Sequence, residues 1–528
     1  MPGKAAAPGA ATGQLPFTDA AGAAAWLARL PHSNAAQCNA LLAAHARLLP
    51  SSSIAPTAKL EILELMRQPV AAAQSQLARE CGSKLVPLEP RHREIWEKMD
   101  GLWRAMATGY DSLIDAMATN APQLATRAHL ICQRALRYTV LAMFEHWRTY
   151  HAVPGVLWQQ LHRLYVFSEN AGVATSTVGD TVGRASATTT CAGTYAHALL
   201  MHLAQPDALG GEKIDIVDRW LERWEGVVGL TPETLPHSSI PALAVDVASR
   251  KGAGFAKSMP AAGVRHLNME TLSRTLRQTA AALKQQTPAQ LGLGDLPRDG
   301  CEKLLLLMHL RWCAAGTGRV DERAPASLKV QISPNLASIH FHLTGKAFRA
   351  PGAELTAAER QRLEMLGHGA EQGGTGLVSQ RSGAIETWDI RNQSVSGFLA
   401  TCHESAAASR IGYRQLVGLL APARKTMYIG IIQRLFLDES GTIWIGLRIL
   451  LGAPQAAAAR IVEGAGKYDR ALLMPADAAR RIPASILLLP GWYQANRTLL
   501  LHSEKEARIK LLSLLDNGPN FERAAYSG

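Results

Sequence analysis

Arg319 and Arg323 stand four residues apart, and Asn392, Ser394 and Gly397 follow them in an Asn-x-Ser-x-x-Gly pattern. Arginine can grip phosphate oxygens through a planar, charge-assisted fork, read the O6 and N7 acceptors of a guanine, and lie flat on a purine face. Two arginines at this spacing, after the Gly316-Thr317-Gly318 lead-in, can leave an extended segment in different directions and close on a compact ligand from two sides. In a strand, Asn392 and Ser394 project to one side, so an amide and a hydroxyl can address one base edge or phosphate together. Gly397 permits a tight turn or a close backbone approach that a Cβ would obstruct. Arg410 and Arg414 repeat the arginine spacing but fall after the Asn-Ser-Gly segment, and they read as solvated surface residues.

Other constellations offer less chemistry. His340 and His342 alternate with apolar residues and point the same way on an expected strand, but a metal site needs a third ligand and none is evident nearby. Gly373-Gly-Thr-Gly376 lacks the Gly-Lys-Ser/Thr ending of a phosphate-binding loop and reads as a mobile loop. There is no Gly-x-Ser-x-Gly elbow, zincin helix, cyclase or phosphodiesterase signature, so neither an enzyme nor a bound cofactor is expected. The seven cysteines are odd in number, scattered and without a Cys-x-x-Cys pair, which suits reduced structural thiols.

The elements that must position these residues belong to a chain of 528 residues, 47% hydrophobic and 19% charged, long enough for several cores. A formal net charge of +12 favours a polyanionic partner. Lys and Arg are nonetheless dispersed, so the charge suits a small bis-phosphate as well as a nucleic acid, and the absence of a reading helix or aromatic-basic platform counts against the latter. No window approaches about 18 uninterrupted apolar residues, so no membrane-spanning helix is expected. Residues 1–17, beginning MPGKAAAPGAATGQLP, read as a disordered tail rather than a secretory signal, and the expected location is the cytoplasm.

Helical periodicity dominates residues 18–298. Ile95, Met99, Trp103 and Met106 form one stripe, Ile214, Val217, Leu221 and Trp224 another, and Pro122 to His151 can run as a single helix. Trp158 to Tyr165 resembles the first helix of a tetratricopeptide repeat, but the 34-residue period of that motif puts Val178 where an aromatic is needed. A helical bundle or irregular helical array is the better reading. Near 242–267, Ala242 to Val247 and Val264 to Leu267 should pair as short strands, after which Asn268 caps a helix. Residues 299–455 open with a helix capped through Asp299 and Glu302 and stopped by Gly316 and Gly318. The period then becomes two, with Leu328, Val330 and Ile332 in one strand, Ile339, Phe341 and Leu343 in another, and Met427–Leu437 joined to Thr442–Leu450 by a hairpin. Residues 456–528 carry further short apolar runs of a β-rich extension. The fold class is multidomain α+β: helices, then a small antiparallel barrel, then more strands.

The Arg-x-x-x-Arg and Asn-x-Ser-x-x-Gly segments, with Ile411 to Gly418, Tyr428 to Ile432 and Trp444 to Gly446, resemble the PilZ-domain family of cyclic-di-GMP receptors over about residues 316–455. The whole layout is similar to large proteobacterial proteins with a helical N-terminal region and a C-terminal PilZ-like barrel. The resemblance implies a six-stranded barrel that binds cyclic di-GMP through Arg319, Arg323, Asn392, Ser394 and Gly397, and a helical region that signals to a protein partner in motility, pilus or biofilm control. A degenerate PilZ-like adaptor that binds protein alone, and a basic nucleic-acid-binding protein, are the competing readings. Asn392 stands where many members have aspartate, and Arg323 is farther from Asn392 than is usual. The excess reads as an insertion near 346–379, with a helix at 356–366.

Overall fold

The computed structural model describes residues 14–81, 85–119, 121–183, 187–236, 240–260, 263–314, 324–352, 385–420, 426–463, 466–503 and 506–528. The chain divides into two compact units, residues 1–84 with 88–318, and residues 85–87, which carry strand β1 (Leu85–Val86), with 319–528.

The first unit is built from α1 (Ala20–Leu27), α2 (Ala35–Leu48), α3 (Pro56–Glu80), α4 (Pro90–Thr119), α5 (Ala128–Arg148), α6 (Gly155–Asn170), α7 (Cys191–Leu203), α8 (Gly211–Trp224), α9 (Glu270–Ala282) and α10 (Arg298–Cys313). Side-chain caps start several of them: Asp19 accepts from Gly22 N at 2.7 Å, Asn34 from Gln37 N at 3.0 Å and Thr190 from Gly193 N at 2.9 Å. On α4, Ile95, Met99, Leu102, Trp103, Met106, Tyr110 and Leu113 are buried along one stripe, and α5 lies against it and against α6 and α7. Between α6 and α7, β2 (Val178–Gly179) pairs with β3 (Thr188–Thr189). After α8, β4 (Gly229–Thr231), β5 (Leu243–Asp246), β6 (Gly254–Phe255) and β7 (Val264–Asn268) form a sheet in the order β4-β7-β5-β6.

The interior of this unit is partly ionic. Arg134 donates to Glu64 at 3.2 Å, Gln133 at 2.6 Å and the Gly179 carbonyl at 2.8 Å, while Tyr110 donates to Glu64 at 2.6 Å. Arg67 pairs with the buried Asp180, and Arg137 with Glu222 at 3.3 Å. Buried charges persist only when paired and hydrogen-bonded, so this network ties the β2–β3 hairpin to α3 and α5 in one arrangement. Nearby, His197 contacts Asp218 at 2.7 Å and Glu225 at 3.3 Å, and Thr189 donates to Glu225 at 2.5 Å.

Several local expectations are corrected. Phe17, assigned to the tail, is buried with its ring 5.6 Å from that of Trp26. Pro122 opens a 3-10 turn to Arg127 before α5 begins, so the stretch to His151 is not one helix. Val178 lies in a strand, which removes the repeat reading. The paired strands near 242–267 are present as β5 and β7, joined to β4 and β6. Asn268 accepts from Glu270 N at 3.2 Å, although Met269 is the first flanking residue of α9. Asp299 and Glu302 form no cap; α10 starts behind Pro297. That helix packs within the first unit, where Trp312 Nε1 donates to the Leu200 carbonyl at 2.9 Å, rather than leading into the barrel.

In the second unit, β8 (Ala324–Ser333), β9 (Glu386–Gln393), β10 (Gly397–His403), β12 (Leu416–Leu420), β13 (Met427–Leu437) and β14 (Thr442–Leu450) close an antiparallel barrel in the order β10-β14-β13-β12-β8-β9. The short β11 (Ile411–Gly412) pairs with β1, Leu85 opposite Gly412. Strands β15 (Gln455–Ile461), β16 (Asp469–Met474), β17 (Ser485–Leu488), β18 (Thr498–His502), β19 (Glu506–Gly518) and β20 (Phe521–Ser527) close a second barrel in the order β15-β16-β17-β20-β19-β18. The expected β-rich extension is thus a barrel of its own. Closure removes the exposed edges that open sheets must protect.

Residues 336–344 correct the strand expected through Ile339, Phe341 and Leu343: they form α11 (Leu336–Thr344). Asn335 caps it by accepting from Ser338 N at 2.9 Å, and Gly345 ends it at φ 69°, a left-handed stop suited to glycine. Leu336 and Ile339, three apart, enter a core shared with Leu416, Ile429 and Leu450 of the first barrel and Leu472, Leu487 and Phe521 of the second. His340 and His342, two apart on a helix, diverge by roughly 200° and cannot serve one metal ion together. The expected helix at 356–366 and the Gly-rich stretch at 367–376 lie outside the described residues.

Candidate functional site

The Asn-x-Ser-x-x-Gly segment forms the hairpin between β9 and β10, and each residue has a distinct place. Asn392 lies near the end of β9, between Pro325 of β8 and Leu399 of β10. A bulge sets Asn392 opposite Leu399 while Ile390 remains opposite Ala400, and so reverses the alternation of the strand at this point. Ser394 has left the strand, which corrects the expectation that both side chains project from one continuous strand. Its N–H donates to the Gly397 carbonyl at 2.8 Å and its hydroxyl approaches the same oxygen at 3.4 Å. Gly397 begins β10 opposite Arg448, and a Cβ there would stand 2.1 Å from the Leu447 carbonyl oxygen. Glycine is therefore required for the hairpin to lie against β14.

Residues directly opposite in a sheet share a face. From the hairpin end, the rows on the outer face are Gly397 with Arg448 and Ile431, the last buried in the core shared with the second barrel, then Asn392, Leu399, Gly446 and Arg434, then Asp389, Thr401, Trp444 and Phe436. Opposite rows such as Ile390, Ala400, Ile445 and Leu435 are buried in the barrel. The Phe436 and Trp444 rings are parallel within 1°, 5.8 Å apart, and Trp444 Nε1 is held by Asp438 at 2.7 Å. The face thus combines guanidinium, amide and aromatic groups about a glycine floor, which suits a ligand with phosphates and flat bases.

Arg319 and Arg323 lie outside the described residues. The strand that follows directly on Arg323 is nonetheless placed: Ala324 stands opposite Gln393, next to Asn392. Arg414, expected as a solvated surface residue, is a corrected assignment. It adopts φ 66° and donates twice to the Asn517 carbonyl, at 3.2 and 2.9 Å, tying the first barrel to the second. Among the described residues no group of three or more His, Cys, Asp or Glu is placed to hold a metal ion. None of the seven cysteines forms a disulfide, and six of them are buried. No described helix is long and apolar enough to cross a membrane.

Sequence reasoning missed Arg448 and Asp516, whose side chains meet at 2.6 Å beside the hairpin. The position of Arg448 opposite Gly397 comes from strand order, which the sequence pattern of β14 does not carry.

Residues 20–234 match the family described as "Cyclic-di-GMP receptor FimW, N-terminal domain", and residues 456–528 match the "FimW C-terminal beta-barrel domain". The first barrel lies between these matched stretches. Over 533 aligned positions, covering 92% of this chain and 86% of the relative, the chain is 23% identical to the cyclic-di-GMP receptor FimW of Pseudomonas aeruginosa. With a helical first unit where the N-terminal family matches and a closed barrel where the C-terminal family matches, these findings support a cyclic-di-GMP receptor family for this chain.

Proposed function

We propose that this protein is a cytoplasmic, non-catalytic receptor that binds cyclic di-GMP on the outer face of its first, PilZ-like barrel and signals through its helical unit to a protein partner. Arg319 and Arg323 grip phosphate and guanine, Asn392 and Ser394 address a base edge or phosphate, and Gly397 keeps the hairpin close to β14. Motility, pilus or biofilm control is the output that the resemblance suggests. The observation carrying this reading is the register of Ala324 with Gln393, which brings the chain leaving the arginine pair to the barrel end that holds Asn392 and Gly397. Support also comes from the relative named as a cyclic-di-GMP receptor. Transmission requires that the nucleotide bind two arrangements of the chain with different affinity.

Calorimetric titration of the full chain with cyclic di-GMP tests the reading. A bidentate arginine–guanine contact is worth about 1–3 kcal/mol, so Arg323→Ala is expected to weaken binding by roughly five- to 150-fold. Lys303→Ala removes an equal charge from an exposed position on α10 and is expected to leave binding unchanged. Equal losses in both variants would show a response to diffuse charge, and absence of wild-type binding would leave the protein-only adaptor in its place.

A further inference from the structure

Three guanidinium groups surround the single carboxylate of Asp516. Arg448 Nη2 lies 2.6 Å from Oδ1, Arg414 Nη2 3.6 Å from Oδ1, and Arg523 Nη1 3.5 Å from Oδ2. The cluster thus carries two positive charges more than it neutralises. Arg414 and Arg523 have other anchors, the Asn517 carbonyl for the first and Ser485 Oγ at 2.9 Å for the second. Among the described residues, Asp516 is the one side-chain partner of Arg448, whose side chain remains 39% exposed.

Arg448 is also the member of the cluster that belongs to the candidate site. It stands opposite Gly397 on the same outer face, and the neighbouring Ile449 N donates to the Ser396 carbonyl at 2.9 Å, so the hairpin is bonded to this stretch of β14. The guanidinium can be reached from solvent, while the Asp516 carboxylate is only 12% exposed and has two further guanidinium partners. A phosphodiester offers the same guanidinium a charged acceptor with two oxygens, in the geometry that arginine recognises best. Should Arg448 leave, Asp516 keeps Arg414 and Arg523, and its charge is not orphaned. Burial pulls the Arg523 guanidinium below its usual range, the Asp516 carboxylate opposes this, and the proximity of Arg448 adds to the fall. Departure of Arg448 would therefore relieve its repulsion of Arg523 in the second barrel.

We propose that Arg448 is a further ligand-gripping residue of the site and that it exchanges the Asp516 carboxylate for a phosphate of the bound dinucleotide, so that binding on the first barrel releases a contact to the second. This inference rests on the cyclic-di-GMP reading above. It gives the second barrel a role in setting affinity, because Asp516 competes with the ligand for one arginine.

Calorimetry on the full chain with cyclic di-GMP, with circular dichroism melts of each variant, tests the exchange. Arg448→Ala is expected to weaken binding by about five- to 150-fold, the scale of one lost bidentate contact. Asp516→Asn removes the competitor and should tighten binding by roughly two- to five-fold, while the double variant should bind as weakly as Arg448→Ala alone. If Arg448→Ala binds like wild type while Arg323→Ala does not, the inference fails and the receptor reading stands. If wild type does not bind, the receptor reading fails and takes the inference with it. If Asp516→Asn remains folded and weakens binding as Arg448→Ala does, Asp516 positions Arg448 for the ligand, and the exchange is refuted. Hydrogen exchange on the unmodified protein provides a readout that does not depend on the stability of the Asp516 variant. Saturating cyclic di-GMP should change exchange at residues 514–518, and an unchanged profile there in a protein that binds would overturn the proposal.

Discussion

A Cβ at Gly397 would stand 2.1 Å from the Leu447 carbonyl oxygen, which is part of the backbone and cannot swing aside. The φ of this residue is not what demands glycine; the close approach of β14 is. Gly397→Ala must therefore push β10 away from β14 at the hairpin, opening the row that joins Gly397 to Arg448. Strain of this kind costs about 1–3 kcal/mol. The expected outcome is a lower denaturation midpoint together with lost cyclic-di-GMP binding, read by urea melts and calorimetry; an alanine variant with wild-type stability and affinity would contradict the packing described. The glycine and its Asn-x-Ser context were legible in the sequence as a motif. The bulge that turns Asn392 to the outer face was not, because it depends on which residues of β10 stand opposite.

At the scale of elements, the first unit is held by a histidine placed between two carboxylates from later parts of the chain. His197 of α7 meets Asp218 of α8 and Glu225 just beyond it, and Thr189 of β3 donates to the same Glu225. Burial by itself pushes the imidazolium down, but the hydrogen bonds and charges of the two carboxylates outweigh it and raise the group to about 9 from an ordinary 6.5. The folded value lies above the unfolded one, so the stabilisation is fully present below pH 6.5 and is lost as pH rises through about 9. The scale is on the order of 3 kcal/mol. His162 and His202 act in the opposite sense. Burial lowers both, so their contribution is present above the unfolded value and is lost as pH falls through it. Chemical denaturation between pH 6 and 9 should show stability falling on the alkaline side, and His197→Gln should flatten that limb even though it lowers stability throughout. An alkaline limb unchanged by the substitution would assign the effect to other groups.

At the scale of the molecule, two apolar clusters of the second unit lie within residues 336–524, and Val330 and Ile332 of β8 are buried as well, all of them after residue 318. A fragment spanning residues 319–528 should therefore fold as two barrels although it lacks Leu85 and Val86, which add just two residues of pairing to β11. Circular dichroism should report a β spectrum and one cooperative melt. An unfolded fragment would mean that the barrels need β1 or the helical unit. The break belongs at 319 rather than 299, because Trp312 and Arg311 of α10 bond to carbonyls at Leu200 and Ala204 of the first unit.

The sequence by itself determined much at short range. Period and turn chemistry sufficed for the β13–β14 hairpin, for the pairing of β5 with β7, and for the helical character of the first unit, since each depends on residues close along the chain. Short range also misled at residues 339–343, where alternation suggested a strand while the Asn335 cap and the Gly345 stop, just outside the alternating run, specified a helix. Only the tertiary structure decided what long-range register controls: that residues after 455 close a second barrel, that Arg414 and Arg448 converge on Asp516, and that the hairpin of Asn392 and Gly397 faces both Ala324 and Arg448. The physical reason is that a strand carries its face in its own alternation but acquires its neighbours from closure of the whole barrel.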